Sequence, residues 1–417
     1  MTQNKTDIYV YAHWKGMAGP QMMGILSAHQ AKGKKAFSFE YDSTWLKSGR
    51  KFLLDPEISF FSGLQYPNQK ENFGVFLDSM PDTWGRTLMK RKAILNAKEN
   101  NTKIPTLYDI DFLLGVYDEC RMGALRFKLD PEGEFLDNSS VSSVPPWSSI
   151  RELQNAAMSL ENDRNNSEIK KWLTILIAPG SSLGGARPKA NIMDNQKELW
   201  IAKFPSQTDE IDKAAWEYLV YELALLSGIK MAPSRLEKIL GRHHSFFTKR
   251  FDREGGERIH FSSAMTMTGN SEEKLRENPA SYLEIAEFIS NFGVHIDENL
   301  HQLWRRIVFN IAVSNTDDHL RNHGFLLTNE GWELSPAYDL NASVDKEGLS
   351  LNIDMNDNSL DFNLAKSVGI YFRLNENQMD SIILEVKDAV SQWKDIASKI
   401  GIIRSEQMLM ENAFNFT

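Results

Sequence analysis

The stretch "SNTDDHLRNHGF", Ser314 to Phe325, carries two carboxylates, two imidazoles, two amides and a guanidinium within a dozen residues. Two chemistries compete for it. One is a metal-hydrolase cluster of Asp317, Asp318, His319 and His323. The other is phosphoryl transfer, which needs a carboxylate to orient the attacking hydroxyl, oxygen ligands for Mg2+, a cation on the phosphates and a loop over them. Adjacent Asp317 and Asp318 would diverge from an extended backbone, and no second His/Asp cluster with zinc-like spacing occurs, which weighs against the hydrolase. Asp317 and Asn322 have the separation of the catalytic Asp and the metal-binding Asn of protein kinases, just beyond a buried helix.

The other parts follow in kinase order. "LSPAYDLN" offers Asp339 as a second metal carboxylate after a strand pair, "GFLLT" and "WELSP". "LWIAKFP" puts Lys203 inside a strand, where kinases keep their phosphate-contacting Lys, and the helix after it offers Glu217 or Glu222 as an ion-pair partner. No G-x-G-x-x-G precedes Lys203. The glycine-rich candidate is "SSLGGARPK", with Gly184 and Gly185 for close backbone approach and Arg187 and Lys189 as phosphate contacts. Each element alone is common; the ordered set is what points to a kinase.

Several elements must position these groups. "DENLHQLWRRIVFNIAVSN" spaces Leu300, Leu303, Trp304, Ile307, Val308 and Ile311 as a buried helix that stops where the opening stretch begins. "DEIDKAAWEYLVYELALLSGI" predicts a helix with Ile211, Ala215, Tyr218, Leu219, Glu222 and Leu226 along one side, ended by Gly228. "SRLEKIL" and "HSFFTKRF" read as strands, and "ENQMDSIILEVKDAVSQWKDIASKI" as one late helix. Towards the amino terminus, "DIYVYAHW" and "KAFSFEYD" read as strands and the segment from Asp82 as a helix whose Arg86, Lys90 and Arg91 form a solvated face. "SSIRELQNAAMSLEND" predicts a helix capped by Ser149 with Glu152 three positions on, and "SEIKKWLTILIA" a second one.

The chain has 417 residues, more than one core usually organises. Its hydrophobic and charged fractions, 41% and 25%, are those of folded soluble proteins. A net charge of -9 argues against a broad nucleic-acid surface. The single Cys120 excludes an intrachain disulfide framework and fits a reducing compartment, so cytoplasm is the expected location. No run approaches the roughly 20 apolar residues of a spanning helix. The expected organisation is an α/β domain over 1–136, a linker over 137–149 marked by small polar residues and paired prolines, a sheet-rich unit over 150–255 and a helical unit over 256–417.

With "SSLGGARPK", "WIAKFP", "KRFDRE", "NTDDHLRNHGF" and "SPAYDLN", plus "MPDTWGR" and "CRMGALRF", the sequence resembles the HipA family of serine/threonine toxin kinases over nearly its whole length. The resemblance implies an α+β, protein-kinase-like bilobal fold with an additional N-terminal α/β subdomain. It assigns Asp317 as catalytic base, Asn322 and Asp339 as Mg2+ ligands and Lys203 as the phosphate Lys. It places Gly184, Gly185, Ala186, Arg187, Pro188 and Lys189 in a nucleotide-contacting loop and Lys249, Arg250 and Phe251 in the inter-lobe hinge. His319, Leu320, Arg321 and Tyr338 lie in nucleotide-adjacent positions of the same motifs. Arg187 and Pro188 stand where better-known members carry a Gln and often a Glu. Asp318 is not required by the family motif and is read as a solvated neighbour or secondary phosphate-site residue.

The implied activity is ATP- and Mg2+-dependent phosphorylation of a host protein, an aminoacyl-tRNA synthetase in this family, arresting translation. Inactivating autophosphorylation would fall on Ser182, with Ser181 as its alternative. The implied partner is a HipB-like helix-turn-helix antitoxin that carries the DNA contact, so that DNA is reached only indirectly and no membrane is involved. The competing class is a non-catalytic kinase-like scaffold or corepressor subunit.

Overall fold

In a computed structural model the described residues are 4–31, 34–68, 70–138, 144–162, 172, 173, 176 and 185–414. Contacts divide the chain into two compact units, Met1–Gln207 with Asp252–Ser262, and Thr208–Phe251 with Ser263–Thr417. The division does not fall at 137–149. The end of that segment is built into the first unit: Met193 N donates to Pro145 O, and Trp147 packs edge-on against Trp200.

The first unit begins with the antiparallel sheet β3-β2-β1-β4, made of β1 (Asn4–Ala12), β2 (Gln21–Ala31), β3 (Lys34–Tyr41) and β4 (Leu125–Lys128). Strand alternation puts Ile8, Val10 and Ala12 on one face with Phe37, Phe39 and Phe127, and that face is covered by Phe73, Phe76 and Leu113. β1 and β3 match the sequence reading. β2 was not anticipated: "QMMGILSAHQA" mixes polar and apolar residues, and its Gly24 is needed because a Cβ there would stand 2.4 Å from Glu40 O.

Helix α1 (Thr83–Glu99) starts at the Asp82 cap, whose carboxylate accepts from Gly85 N at 2.8 Å. Of its three expected solvated residues, Lys90 is exposed while Arg86 and Arg91 are half-buried. The Arg86 guanidinium lies 4.6 Å over the Phe112 ring, and Arg91 donates to Leu160 O at 2.7 Å. That carbonyl belongs to α2 (Ile150–Asn162), which is entered through a 3-10 turn, Trp147–Ser149, with Ser149 inside the turn. The helix expected over 167–178 lies mostly outside the described residues. An antiparallel pair follows, β5 (Lys189–Met193) and β6 (Leu199–Lys203), with Lys189 directly opposite Lys203.

Two motifs that carry the family resemblance meet inside this unit as structure. Arg121 is fully buried and donates to the carbonyls of Ser79, Leu113, Val116 and Leu136. Asp252 accepts from Gly123 N at 2.8 Å and from Arg253, which itself donates to the carbonyls of Glu119 and Arg121. Gly123 has φ +71, and an added Cβ would press on Phe261 N at 3.0 Å. "CRMGALRF" and "DRE" therefore fasten the 252–262 excursion to the first unit.

The second unit opens with α3 (Lys213–Leu226), capped by Asp212, and the antiparallel pair β7 (Ser234–Glu237) and β8 (Ser245–Lys249). The expected one-sided face of α3 is not what the fold buries. Ala214, Trp216, Val220, Leu223 and Ala224 are buried as well, so the helix is apolar nearly all round, while Leu226 on the expected face is 54% exposed. Helix α4 (Tyr282–Phe292) is followed by α5 (Ile296–Ala312), whose six predicted core residues are all fully buried. A hairpin of β9 (Gly324–Leu327) and β10 (Trp332–Leu334) pairs Phe325 with Leu334. The single late helix is two, α6 (Glu376–Ser391) and α7 (Trp393–Ile400), broken at Gln392, where Trp393 turns into the core. Among the described residues no helix is long and apolar enough to cross a membrane.

Candidate active site

The opening stretch of the sequence leaves the end of α5 and turns twice before β9. Ser314 takes a left-handed conformation, φ +49, and Asn315 N returns to Asn310 O at 2.8 Å. The side chains of Asp317 and Asp318 then part. Asp317 is 77% exposed, with Lys346 Nζ 3.8 Å from its Oδ1, whereas Asp318 is 0% exposed. Asp318 Oδ2 accepts from Tyr282 on α4 at 2.6 Å and from Asn310 on α5 at 2.8 Å, and His323 Nε2 lies 2.8 Å away. A carboxylate only accepts, so His323 Nε2 carries the hydrogen in that contact. Asp318 is thus a buried anchor, not a solvated neighbour, and His323 is its partner, not a metal ligand.

The electrostatics agree. Burial alone raises the Asp318 carboxyl, but the His323 imidazole and the Tyr282 hydroxyl outweigh it and hold the group below the ordinary carboxylate range. Burial, reinforced by Asp318, pushes the Tyr282 hydroxyl well above its usual value, so it remains a donor. Among the described residues no group of three or more His, Cys, Asp or Glu could hold a metal, which removes the hydrolase cluster.

Asn322 Nδ2 donates to the Asp317 carbonyl at 3.1 Å, which closes the loop behind the exposed carboxylate and leaves the amide oxygen to offer a cation. Asp339 is held in the left-handed region at φ +58, a conformation that Asp tolerates better than most residues and that is common where a side chain must be aimed. Just before it, the buried Arg306 of α5 donates to Ser335 O, and Ala337 N donates to Lys230 O at 2.8 Å. One carboxylate and one amide, completed by water and substrate phosphates, are a usual protein share of a Mg2+ shell. These hard oxygen donors fit that ion.

Other predicted residues of this unit sort by environment. Tyr338 donates its hydroxyl to Arg321 O at 2.7 Å and packs its ring 5.5 Å from Phe251, so these two predicted nucleotide neighbours come together. Arg321 itself is engaged by Glu272 at 2.9 Å. Leu320 is fully buried, and Arg250 is buried too. Lys249 is half-buried beside it, and His319 is half-buried at the head of the 3-10 turn Leu320–Asn322. Of the two acidic candidates on α3, Glu217 is buried; Glu222 is taken up by Tyr218, whose hydroxyl is pushed up to about 12 by burial and by that carboxylate.

In the first unit Lys203 ends β6 and is buried. Gly185 and Ala186 are exposed, Arg187 is half-buried and Pro188 is buried. Lys189 is buried. Its ammonium donates to Asp82 Oδ2 and to Gly185 O, both at 2.7 Å. Ser181, Ser182 and Gly184 lie outside the described residues. The supports of Asp317, namely Asp318, Tyr282 and Asn310, are not legible in the sequence, nor is the pairing of Asp82 with Lys189.

A family model described as the HipA-like C-terminal domain matches residues 181–393. The serine/threonine-protein kinase toxin HipA of Shewanella oneidensis is 26% identical over 352 residues, covering 78% of this chain and 74% of that protein. A solved structure titled as the Shewanella oneidensis MR-1 toxin–antitoxin system HipA, HipB and its operator DNA complex contains a chain similar at a TM-score of 0.65 and 18% identity. The match covers 97% of this chain and 94% of that one. The fold is α+β and protein-kinase-like with an additional amino-terminal α/β subdomain.

Proposed function

This chain belongs to the HipA family of kinase toxins, and we propose that it is an ATP- and Mg2+-dependent serine/threonine protein kinase of a toxin–antitoxin system. The observation that carries the reading is the division of labour at residues 317–322: Asp318 is buried as an anchor, Asp317 is presented to solvent, and Asn322 braces the backbone between them. In this reading Asp317 orients a protein hydroxyl and accepts its proton. Asn322 and Asp339 would hold Mg2+, which would neutralise charge along the phosphates, and the family resemblance assigns Lys203 as the phosphate-contacting Lys. The half-buried ring pair Phe251 and Tyr338 gives an adenine base an apolar surface to stack on.

The substrate is a host protein hydroxyl, with an aminoacyl-tRNA synthetase as the family-based candidate. Ser182, or Ser181 beside it, is the candidate for inactivating autophosphorylation, because a phosphate of about -1.5 to -2 charge there would compete for the cations of the adjoining loop. A HipB-like antitoxin is the proposed partner, by analogy with the Shewanella complex of HipA, HipB and operator DNA. The acidic net charge is compatible with leaving the DNA contact to that partner, in the cytoplasm.

The test is phosphate transfer from labelled ATP with Mg2+, comparing wild type with Asp317→Ala. Loss of incorporation in the variant is expected; equal incorporation by both proteins would sink the assignment of Asp317. Phosphosite mapping in host lysate then identifies the target and chooses between Ser181 and Ser182.

A further inference from the structure

Lys189 has the sequence setting of a phosphate-binding lysine, yet its ammonium is spent inside the protein. It is 1% exposed in an ion pair with Asp82, itself 4% exposed, at 2.7 Å. The same ammonium donates to Gly185 O, four residues back, at 2.7 Å. Trp84, the second residue of α1, donates its indole N–H to Lys189 O at 3.1 Å, so the start of α1 grips this residue by side chain and backbone together. Pro188 O accepts from Phe204 N at 2.9 Å, which fixes the segment to the end of β6 as well.

Two consequences follow from the chemistry. Curling back to Gly185 O, the lysine closes residues 185–189 into a turn whose outer members, Gly185 and Ala186, are exposed. And Lys189 sits directly opposite Lys203 across the β5–β6 pair, where like charges repel. Asp82 neutralises one lysine of that pair.

We propose that Asp82 is a positioning residue of the nucleotide loop: through Lys189 it holds the Gly185–Lys189 turn closed, and Lys189 is a clasp, not a phosphate ligand. The inference rests on the kinase reading for its effect on ATP, but the clasp itself has a readout that needs no activity. It gives "MPDTWGR", in the amino-terminal part of the chain, a role in nucleotide affinity.

The experiment uses the full chain and three variants: Asp82→Asn, which keeps a side-chain cap for α1, Lys189→Gln, and the double variant, which leaves no unpaired buried charge if a single change prevents folding. Hydrogen exchange of the peptide spanning 185–189 is expected to speed up by about tenfold or more in every folded variant, while the β1–β4 sheet stays unchanged. The KM for ATP is expected to rise by about tenfold with kcat within about twofold, and the double variant should be no worse than either single one, as for one shared interaction. Unchanged exchange at 185–189 in the folded variants would overturn the clasp. A KM that stays the same in an active enzyme would overturn its link to nucleotide. A fall in KM affinity with Lys189→Gln but not with Asp82→Asn would return Lys189 to the phosphates and also overturn the proposal. If wild type transfers no phosphate, the kinase reading fails while the exchange result still decides the clasp.

Discussion

Asp317 and Asp318 are neighbours in the chain, and the fold turns one carboxylate outward to solvent and buries the other against Tyr282, Asn310 and His323. The buried one determines where the exposed one stands, because its three partners come from α4, α5 and the residue before β9.

Replacing Asp318 with Ala removes an acceptor shared by three buried donors. The cost in stability should be about 3–5 kcal/mol, the range for leaving one side of a buried charged network unpaired. Asp317→Ala, at an exposed position, should leave stability within about 0.5 kcal/mol. Urea unfolding of the two variants checks the contrast; equal midpoints would refute the anchoring role of Asp318.

Asn322→Ala and Asp339→Asn should each raise the Mg2+ concentration needed for half-maximal phosphate transfer, by roughly tenfold or more, since each removes or weakens one of the two protein oxygens proposed for the ion. Asp339→Asn keeps a residue that accepts the left-handed backbone at φ +58, so its effect reports on the ligand and not on strain. The check is initial rate against Mg2+ at saturating ATP. A curve superimposable on wild type would take the residue out of the metal site.

His260 is fully buried, stacked on Trp14 at 5.8 Å, and burial pushes its imidazole down to about 3. The unfolded chain therefore takes up this proton near pH 6.5 while the folded chain does not. Stability should be complete above that value and fall as pH drops below it, by about 1.4 kcal/mol per pH unit from this one group, until the folded imidazole protonates. His260→Phe, which keeps the stacking, should flatten the decline between pH 6 and pH 4 relative to wild type, read by denaturant unfolding across that range. Parallel curves would exclude His260 as a source of acid sensitivity.

Much of the site's scaffold was legible because it is written locally. The helical spacing of Leu300, Leu303, Trp304, Ile307, Val308 and Ile311 needs no distant information, and all six are buried in α5. The strand pair between Asn322 and Asp339 and the Lys203 strand are likewise legible as short apolar runs, and the helix after Lys203 in its extent, though not in the face it buries. The order of Lys203, Asp317, Asn322 and Asp339 along the chain was enough to name a kinase-like arrangement before any contact was known.

What the sequence could not carry is direction and partnership. Periodicity cannot tell which of two adjacent aspartates turns inward, because that depends on donors from α4 and α5 converging on one oxygen. It cannot tell that Lys189 answers Asp82 more than a hundred residues away, or that Arg121 feeds four carbonyls, because a buried charge is stable only where the whole fold assembles its partners. The residue types and their order fixed the chemistry on offer. Only tertiary structure decided which of those polar groups are used up in holding the protein together and which, like Asp317, are left facing solvent, since the cost of desolvation drives most buried polar groups to find partners within the fold.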